Sequence, residues 1–381
     1  MPGIIRRMLP IATPAEAGFD PQRLERAFAL AESWTRGPNP PWPAAAIAIG
    51  RNGKLVAPRL FGRQGAEPDA PPVRRDGLFL MASLTKPITY LAALMLVERG
   101  LLNLADLVTR HIPDFAAHHK ENTTVLHLFT HTSGLPDMPD NNLELRRQHA
   151  PLDKFVERTI RDTVPLFPPG TNFSYQSMGT LIVAELVRRL TGLTIHEFVR
   201  REVFEPLGLQ STSFGIGNLD PGRIVRMRPA ATQDPAWGWN SDYWRKLGVP
   251  WGGMYSCPED MAVLCQLMLN GGVYNGVRLL AATTVAQATS NRLDDLPEVP
   301  EPVRRTKSWG LGWQMNRPGS GGELGSLCDV LGTTAFGHHG ATGTLQWIDP
   351  VSRSFCVIFS TAPRDDAPWR LLALSNALAA S

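Results

Sequence analysis

The stretch "FLMASLTKPITYLAAL", residues 79–94, places Ser83 and Lys86 three positions apart at the start of a very apolar segment. Proline has no backbone N–H and is tolerated only in the first turn of a helix, so Pro87 predicts that a helix over residues 84–99 begins here with Ser83 as its N-cap. Ser83 and Lys86 then share one helix face. Burial and the helix dipole would lower the lysine pKa, and a neutral lysine can activate a serine as a nucleophile. The alternative is a capping serine beside a solvated lysine.

Length and composition indicate an ordinary folded protein. The 381 residues, 43% hydrophobic and 19% charged, suggest two domains, or one with a large insertion. The formal net charge of +3 is spread along the chain, which predicts neither a nucleic-acid partner nor a membrane patch. The N-terminal sequence "MPGIIRRMLPIATPAEAG" lacks a signal-peptide core, so a cytoplasmic location is predicted. The four cysteines form no C-x-x-C pair, and all but Cys328 lie in apolar sequence, which predicts reduced thiols.

Two hairpins are predicted near the two ends of the chain. "PAAAIAIGRNGKLVAPRLFGR" turns at Asn52-Gly53, the pair typical of a type I′ hairpin. "TGTLQWID" and "SFCVIFST", joined by residues 350–354, read as a second hairpin, followed by a helix from about Pro368. Both ends are therefore predicted to contribute to one antiparallel sheet covered by helices.

The middle of the chain is predicted to be mostly helical. Thr194 and Glu197 form a capping box that opens one helix, and Ser256 and Glu259 form another at the start of "PEDMAVLCQLMLNGG". Residues 290–306, rich in proline and charge, are predicted to be a surface loop.

Two further segments carry candidate site residues. "FPPGTNFSYQSMG" places Tyr175 and Ser177 just before a helix, and "FGHHGATG" places His338, His339 and Gly340 at the start of a strand, where a glycine lets a ligand approach the backbone. The alternatives are a tyrosine that only packs and a histidine pair at a strand end. A zinc site would need further ligands at suitable spacing, so no metal is predicted. The turn "LFTHTSGLP" is expected to fix a bend rather than to react.

The segment of residues 236–253 is dense in aromatic side chains. They are Trp237, Trp239, Tyr243, Trp244 and Trp251. Such a cluster is either core or the wall of an apolar pocket for an acyl or alcohol group. Its place just before "WGG" favours the pocket.

Taken together, these segments resemble the serine β-lactamase-like hydrolases, which include class C β-lactamases, DD-peptidases and family VIII esterases. The matches are S-L-T-K, "LFTHTSGLP", "PPGTNFSYQSMG", "EPLGLQSTSF", "WGGMYSCPEDMAVLCQLMLNGG", "WGLGW" and "FGHHGATG", in the family's order over nearly the whole chain. The resemblance implies an α+β fold with a central antiparallel sheet flanked by helices, formed by residues 1–105 and 236–381. A mostly helical domain, residues 106–235, would be inserted, with the active site in the groove between the two.

The resemblance also implies a role for each matching residue. Ser83 would be the nucleophile, Lys86 its base partner and Tyr175 the phenol that relays a proton to the leaving group. The backbone N–H groups of Ser83 and Ala341 would form the oxyanion hole. Ser177 and His338 would line the site. The predicted substrate-binding residues are these two, together with Gly340 from the same strand segment and Trp239 and Trp244 from the aromatic segment. No cofactor is expected, and the only predicted partner is a small-molecule ester.

Two departures from the family pattern bear on the substrate. The usual Y-x-N is Tyr175-Gln176-Ser177, which replaces an amide with a shorter hydroxyl, and the usual K-T-G is His338-His339-Gly340, which replaces a permanent cation with a group that is mostly neutral near pH 7. Both changes favour a carboxylesterase for uncharged esters. The alternatives are a β-lactamase, a D-amino-acid peptidase or amidase, an acyltransferase, or a binding protein without turnover. The chain contains no G-x-S-x-G, which excludes the nucleophile elbow of the α/β-hydrolases.

Overall fold

A seven-stranded sheet forms the centre of the computed structural model, which describes residues 8–229, 234–320 and 325–381. Its strand order is β1-β3-β2-β12-β11-β10-β9, and every pairing except the parallel β1–β3 is antiparallel. These strands are β1 (Ile11–Ala12), β2 (Ala44–Arg51), β3 (Lys54–Gly62), β9 (Gln314–Met315), β10 (Phe336–Gly340), β11 (Thr344–Asp349) and β12 (Ser354–Ser360). A small sheet holds β4 (Phe79–Leu80), β5 (Ser213–Phe214) and β6 (Met254–Ser256), and a hairpin holds β7 (Val273–Tyr274) and β8 (Val277–Arg278).

Most of the helices in the described part of the chain lie between β4 and β9. The helices are α1 (Pro14–Ala17), α2 (Pro21–Ser33), α3 (Lys86–Glu98), α4 (Val108–His111), α5 (Val125–Phe129), α6 (Asn142–Arg147), α7 (Leu152–Arg161), α8 (Met178–Thr191), α9 (Ile195–Val199), α10 (Glu205–Leu207), α11 (Asp242–Leu247), α12 (Pro258–Leu269), α13 (Ala282–Ala288), α14 (Glu301–Thr306) and α15 (Pro368–Ala379). The fold class is the predicted one, an antiparallel sheet with flanking helices.

Both predicted hairpins are present. Asn52 and Gly53 join β2 to β3 with φ of 54° and 76°, the left-handed values that a type I′ turn requires at both central residues. Strands β11 and β12 form the second hairpin, and α15 begins at Pro368 as expected. The capping box of Thr194 and Glu197 is also formed at the start of α9.

Helices cover both faces of the large sheet. Helices α2 and α15 pack on one face with the side chains of Ile47, Ile358 and Leu374. Helix α12 packs on the other face, where the core is continuous with α3 and with α8 of the helical region. Because one hydrophobic core runs across residues 105 and 235, the two-domain division with boundaries at those residues stays a prediction.

The predicted helix start is two residues too early, and Ser83 is not the N-cap. Residues Ala82–Thr85 form a 3₁₀ turn, and the α-helix begins at Lys86 with Pro87 in its second position. Thr85 Oγ1 donates to the Ala82 carbonyl over 2.6 Å and accepts from the Met254 N–H over 3.1 Å. The tighter turn satisfies these groups locally, so Ser83 caps nothing and its hydroxyl is available to Lys86.

Two other sequence predictions are wrong for reasons of tertiary structure. Ser256 does not cap α12, because it belongs to β6 and its hydroxyl pairs with Thr212 Oγ1 at 2.8 Å. Residues 290–306 are not a plain surface loop. They contain a 3₁₀ turn and α14, and Leu293 and Val299 are buried with Trp309.

All four cysteines, Cys328 included, are buried, and none of them forms a disulfide. Burial raises the pKa of the Cys265, Cys328 and Cys356 thiols. Among the described residues, no helix combines the length and hydrophobicity that a membrane span needs. Residues 1–7, which belong to the stretch on which the predicted location was based, lie outside the described ranges.

Candidate active site

The turn that carries Ser83 is fixed to the end of the large sheet. The residue before it, Ala82, has a left-handed φ of 46°, a conformation that costs an L-residue on the order of 1–2 kcal/mol. The carbonyls of Leu80 and Met81 accept from Thr342 Oγ1 at 2.8 Å and Thr344 Oγ1 at 2.9 Å. These bonds place the turn against the residues that follow β10.

Gly340 makes this close approach possible. A Cβ on Gly340 would lie 2.7 Å from the Met81 carbonyl oxygen and would also collide with the Thr344 hydroxyl. The glycine therefore admits the backbone of the serine turn, whereas the sequence predicted that it admits substrate.

Lys86 reaches Ser83 as the motif predicts. Its Nζ lies 3.1 Å from Ser83 Oγ and 3.1 Å from the carbonyl oxygen of Trp251, and the side chain is buried. Burial lowers the Lys86 pKa to about 8, opposed by the negative charge of Asp137. A substantial fraction of Lys86 is therefore neutral in mildly alkaline solution and able to accept a proton.

Tyr175 completes the group. Its ring centroid lies 4.7 Å from Lys86 Nζ. Burial raises the pKa of the phenol well above its usual value, and a hydrogen bond with the Ser83 side chain opposes that rise. The structure thus brings Tyr175 to Ser83 and Lys86 from a separate segment of the chain.

A cavity of about 280 Å³ opens onto these groups. Its lining contains Ser83, Tyr175, Ser177, Trp239, Trp244 and Ala341, all of them predicted site residues, together with Ala82, Asp137, Met138, Arg146, Trp251, Gly252, His339, Arg364 and Asp365, which the sequence did not assign. Ser83 and Ala341 both face the cavity, and their pairing as an oxyanion hole stays a prediction. Trp237 lies outside the lining, and Tyr243 borders a different depression.

The two adjacent histidines lie at the end of β10, not at the start of a strand. His339 lines the cavity and its Nδ1 pairs with Gln314 Oε1 at 3.0 Å, whereas His338 is buried beside Tyr175 and Trp309. The sequence assigned His338 to substrate binding, and the structure puts its neighbour on the wall instead. Burial lowers the pKa of His339 to about 3 and that of His338 well below its usual range, so both are neutral near pH 7.

Two arginines in the lining carry no sequence motif. Arg146 lies 4.8 Å over the Trp244 ring, and Arg364 is anchored by its backbone N–H, which donates to the Ala341 carbonyl over 2.9 Å. The Arg364 side chain is only 15% exposed, and its ion-pair partner Asp365, 3.3 Å away, is 84% exposed. A topological signal could have found Arg364: β10 and β12 are both antiparallel to β11, so the residues that follow them meet at one sheet edge.

The described part of the chain contains no cluster of three or more His, Cys, Asp or Glu side chains arranged to hold a metal ion. The groups that face the cavity include a hydroxyl, a phenol, an imidazole, two carboxylates and two guanidinium groups, and the Lys86 amine lies beside the hydroxyl.

Comparisons with known proteins find relatives in sequence and in fold. A putative D-alanyl-D-alanine carboxypeptidase of Salmonella enteritidis PT4 is 27% identical over 391 aligned positions, which cover 93% of this chain and 86% of that protein. A penicillin-binding protein homologue from Caulobacter crescentus has a TM-score of 0.76 at 23% identity over 95% of this chain and 98% of the other. A family VIII carboxylesterase has a TM-score of 0.72 at 23% identity over 93% and 96%.

The family model described as beta-lactamase matches residues 40–381, from just before the first hairpin to the end of the last helix. Its span includes the serine turn, the tyrosine segment and the strand that ends in Gly340. The chain belongs to the beta-lactamase family and has its serine-hydrolase fold.

Proposed function

We propose that the protein is a carboxylesterase that works through an acyl-enzyme on Ser83. One observation carries the proposal: Ser83 Oγ lies 3.1 Å from the Nζ of a buried lysine whose pKa is lowered to about 8, with the Tyr175 phenol bonded to the same serine. A serine hydroxyl is a weak nucleophile until an adjacent base takes its proton. Lys86 in its neutral form is that base.

The reaction then proceeds in two halves. Lys86 takes the Ser83 proton as Oγ attacks the ester carbonyl carbon, and the backbone N–H groups of Ser83 and Ala341 hold the oxyanion, each contributing on the order of 3 kcal/mol. The intermediate breaks its bond to the alcohol oxygen, which receives the proton through Tyr175. Water, deprotonated by the same groups, attacks the acyl carbon and releases the acid and Ser83.

The composition of the cavity wall favours the binding of esters whose acyl or alcohol group is apolar. Trp239, Trp244 and Trp251 contribute aromatic surface to it, and its histidine, His339, is neutral near pH 7. A family VIII carboxylesterase is among the similar structures, which is consistent with the proposal at the level of fold.

The deciding experiment follows the acyl group to its residue. Wild type and Ser83→Ala are exposed briefly to p-nitrophenyl butyrate, and separately to a cephalosporin, and intact-protein mass spectra are recorded while p-nitrophenol release is measured. The proposal expects fast ester turnover that depends on Ser83, and a cephalosporin adduct that persists or never forms. Turnover of the cephalosporin with no action on the ester would instead assign a β-lactamase.

A second candidate is a carboxypeptidase, and Arg364 is the observation that favours it. A half-buried guanidinium next to Ala341 could hold the free carboxylate of a peptide, the role that the neutral histidines cannot fill. The relative at 27% identity carries the name of such an enzyme. Release of D-alanine from a D-alanyl-D-alanine peptide, lost when the terminal carboxylate is amidated and reduced in Arg364→Met, would support this activity.

Two other uses of the same site are separated by simple assays. An acyltransferase would pass the butyryl group to an added alcohol faster than to water. A binding protein without turnover would react slowly with a fluorophosphonate, whereas an activated Ser83 reacts quickly. We propose a small-molecule ester as the binding partner.

A further inference from the structure

The segment "HTSG", residues 131–134, lies directly behind Tyr175. His131 is completely buried and has a left-handed φ of 59°. Its ring centroid is 4.8 Å from that of Tyr175 and 4.6 Å from that of Trp309. The imidazole therefore packs against both the Tyr175 phenol and a buried tryptophan, whose own ring centroids are 5.8 Å apart.

His131 accepts hydrogen bonds from the two residues on either side of Tyr175. The Ser174 N–H donates to the His131 carbonyl over 3.0 Å, and the Gln176 N–H donates to His131 Nδ1 over 3.3 Å. The residue between these two anchors is Tyr175. Its backbone is thus fixed on both sides by one residue, and the packed imidazole limits where the phenol ring can turn.

The rest of the segment braces the same stretch. Ser133 Oγ donates to Gln176 Oε1 over 2.7 Å, and the Gly170 N–H donates to the Thr132 carbonyl over 2.8 Å. Residues 131–134 are therefore held against residues 170–176 by a ladder in which His131 supplies the two bonds nearest to Tyr175.

The bond to Nδ1 requires a neutral imidazole. Nδ1 accepts only when the ring proton is on Nε2, and a doubly protonated ring has no acceptor to offer. Burial, with the nearby Lys86 and His338, lowers the His131 pKa well below its usual range, so the accepting form is the one present.

Stability alone does not account for a histidine here. Its Nε2 is buried without a hydrogen-bond partner among the described residues, and its backbone is in a region that most L-residues avoid. Both features cost free energy that an apolar residue in a relaxed turn would not. A residue that breaks local rules in this way next to reacting groups is usually retained for the site.

We propose that His131 is a positioning residue that holds the Tyr175 phenol in line with Ser83 by accepting the Gln176 N–H and packing against the ring. The inference rests on the proposed role of Tyr175 in proton transfer. His131 is not part of the cavity lining, and its proposed effect is exerted only through the tyrosine.

Two amide substitutions separate the proposal from a general packing role. His131→Asn keeps an acceptor close to the position of Nδ1 and tolerates the left-handed φ, whereas His131→Gln places its amide farther out, near the position of Nε2. Both remove the ring and keep a polar side chain. With p-nitrophenyl butyrate, we expect kcat of His131→Asn within about fivefold of wild type and that of His131→Gln lower by about 10–100-fold, with KM nearly unchanged, because a misplaced catalytic group costs up to about 10²-fold.

A double-mutant cycle with Tyr175→Phe gives the second readout. If His131 acts through the phenol, His131→Gln lowers kcat in the wild type but has little further effect in Tyr175→Phe. Thermal unfolding of each variant is measured in parallel, so that only folded proteins are compared. Equal losses in both backgrounds, or equal kcat for the Asn and Gln variants, would overturn the inference. Failure of the proposed function looks different, since wild type itself would then leave the ester intact.

Discussion

Burial of the Lys86 side chain gives it the lowered pKa that its proposed role as a base requires. A charged amine is costly in this interior, and the same cost makes the neutral, proton-accepting form accessible. The sequence predicted this from S-x-x-K spacing, because residues three apart near a helix start must be close. It could not show the strain at Ala82, since nothing in the composition of the turn marks a left-handed alanine.

The rate is expected to rise with pH through the Lys86 pKa. The folded-state pKa is lowered to about 8, so the neutral base is scarce at pH 6 and predominates at pH 9. The kcat/KM for p-nitrophenyl butyrate should increase about tenfold per pH unit below the midpoint and level off above it.

Lys120 provides a matched control for this profile. It is also buried, and burial lowers its pKa to about 8, but its Nζ donates to the Thr163 carbonyl at 2.7 Å rather than to Ser83. Lys120→Met should keep the midpoint, while Lys86→Arg should lose at least about 10²-fold at every pH because arginine stays protonated. A midpoint that moves with Lys120, or persists in Lys86→Arg, would contradict the assignment.

At the scale of elements, the strength of the local signal decided what could be predicted. Asn52-Gly53 specifies a turn that few other pairs allow, and the hairpin followed. The Ser-x-x-Glu pattern before α12 is a much weaker predictor of a helix start. Ser256 lies instead in β6, which pairs with β4 and β5. Local preference gives way where backbone pairing with distant strands satisfies more hydrogen bonds.

A side chain at Gly340 is expected to push strand β10 and the serine turn apart, and so to lower both stability and activity. Gly340→Ala puts a methyl 2.7 Å from the Met81 carbonyl oxygen, and the two segments must separate, at a cost of about 1–3 kcal/mol. Thermal unfolding should occur at a lower temperature, and esterase activity should fall because Ala341 moves away from Ser83.

Gly332→Ala is the control for that substitution. Gly332 precedes the same strand, and the nearest atom to its added methyl, Thr334 Oγ1, is 4.0 Å away. Stability and activity should stay near those of wild type. Unchanged activity in Gly340→Ala would show that the contact with the serine turn does not position the site.

At the scale of the whole molecule, the cavity is assembled from distant parts of the chain, and this limits prediction from sequence. Motifs identify Ser83, Lys86 and Tyr175, but Arg146 and Arg364 reach the cavity only because α6 and the end of β12 are placed beside it. The aromatic segment shows the same limit, because Trp239 lines the cavity and Trp237 does not. Which member of a cluster faces a site depends on packing that periodicity alone does not resolve.

Enlarging the cavity is expected to change chain-length preference. Trp239 is partly buried in the lining, so Trp239→Ala should leave the core intact and create room for longer acyl groups. The kcat/KM ratio of p-nitrophenyl octanoate to butyrate should rise by about tenfold. Trp369, 58% exposed on α15, is the control, and its change to alanine should leave the ratio alone. An unchanged ratio in Trp239→Ala would remove it from the acyl-binding wall.

The buried thiols have a practical consequence for spectroscopy of this enzyme. Maleimide dyes react with thiolates that solvent can reach, and all four native cysteines are enclosed, three of them with a raised pKa. A cysteine placed at Val351, which is 78% exposed in the turn between β11 and β12, would therefore take up a fluorophore far faster than the native thiols. Single-site fluorescent derivatives are thus accessible without first replacing the native cysteines.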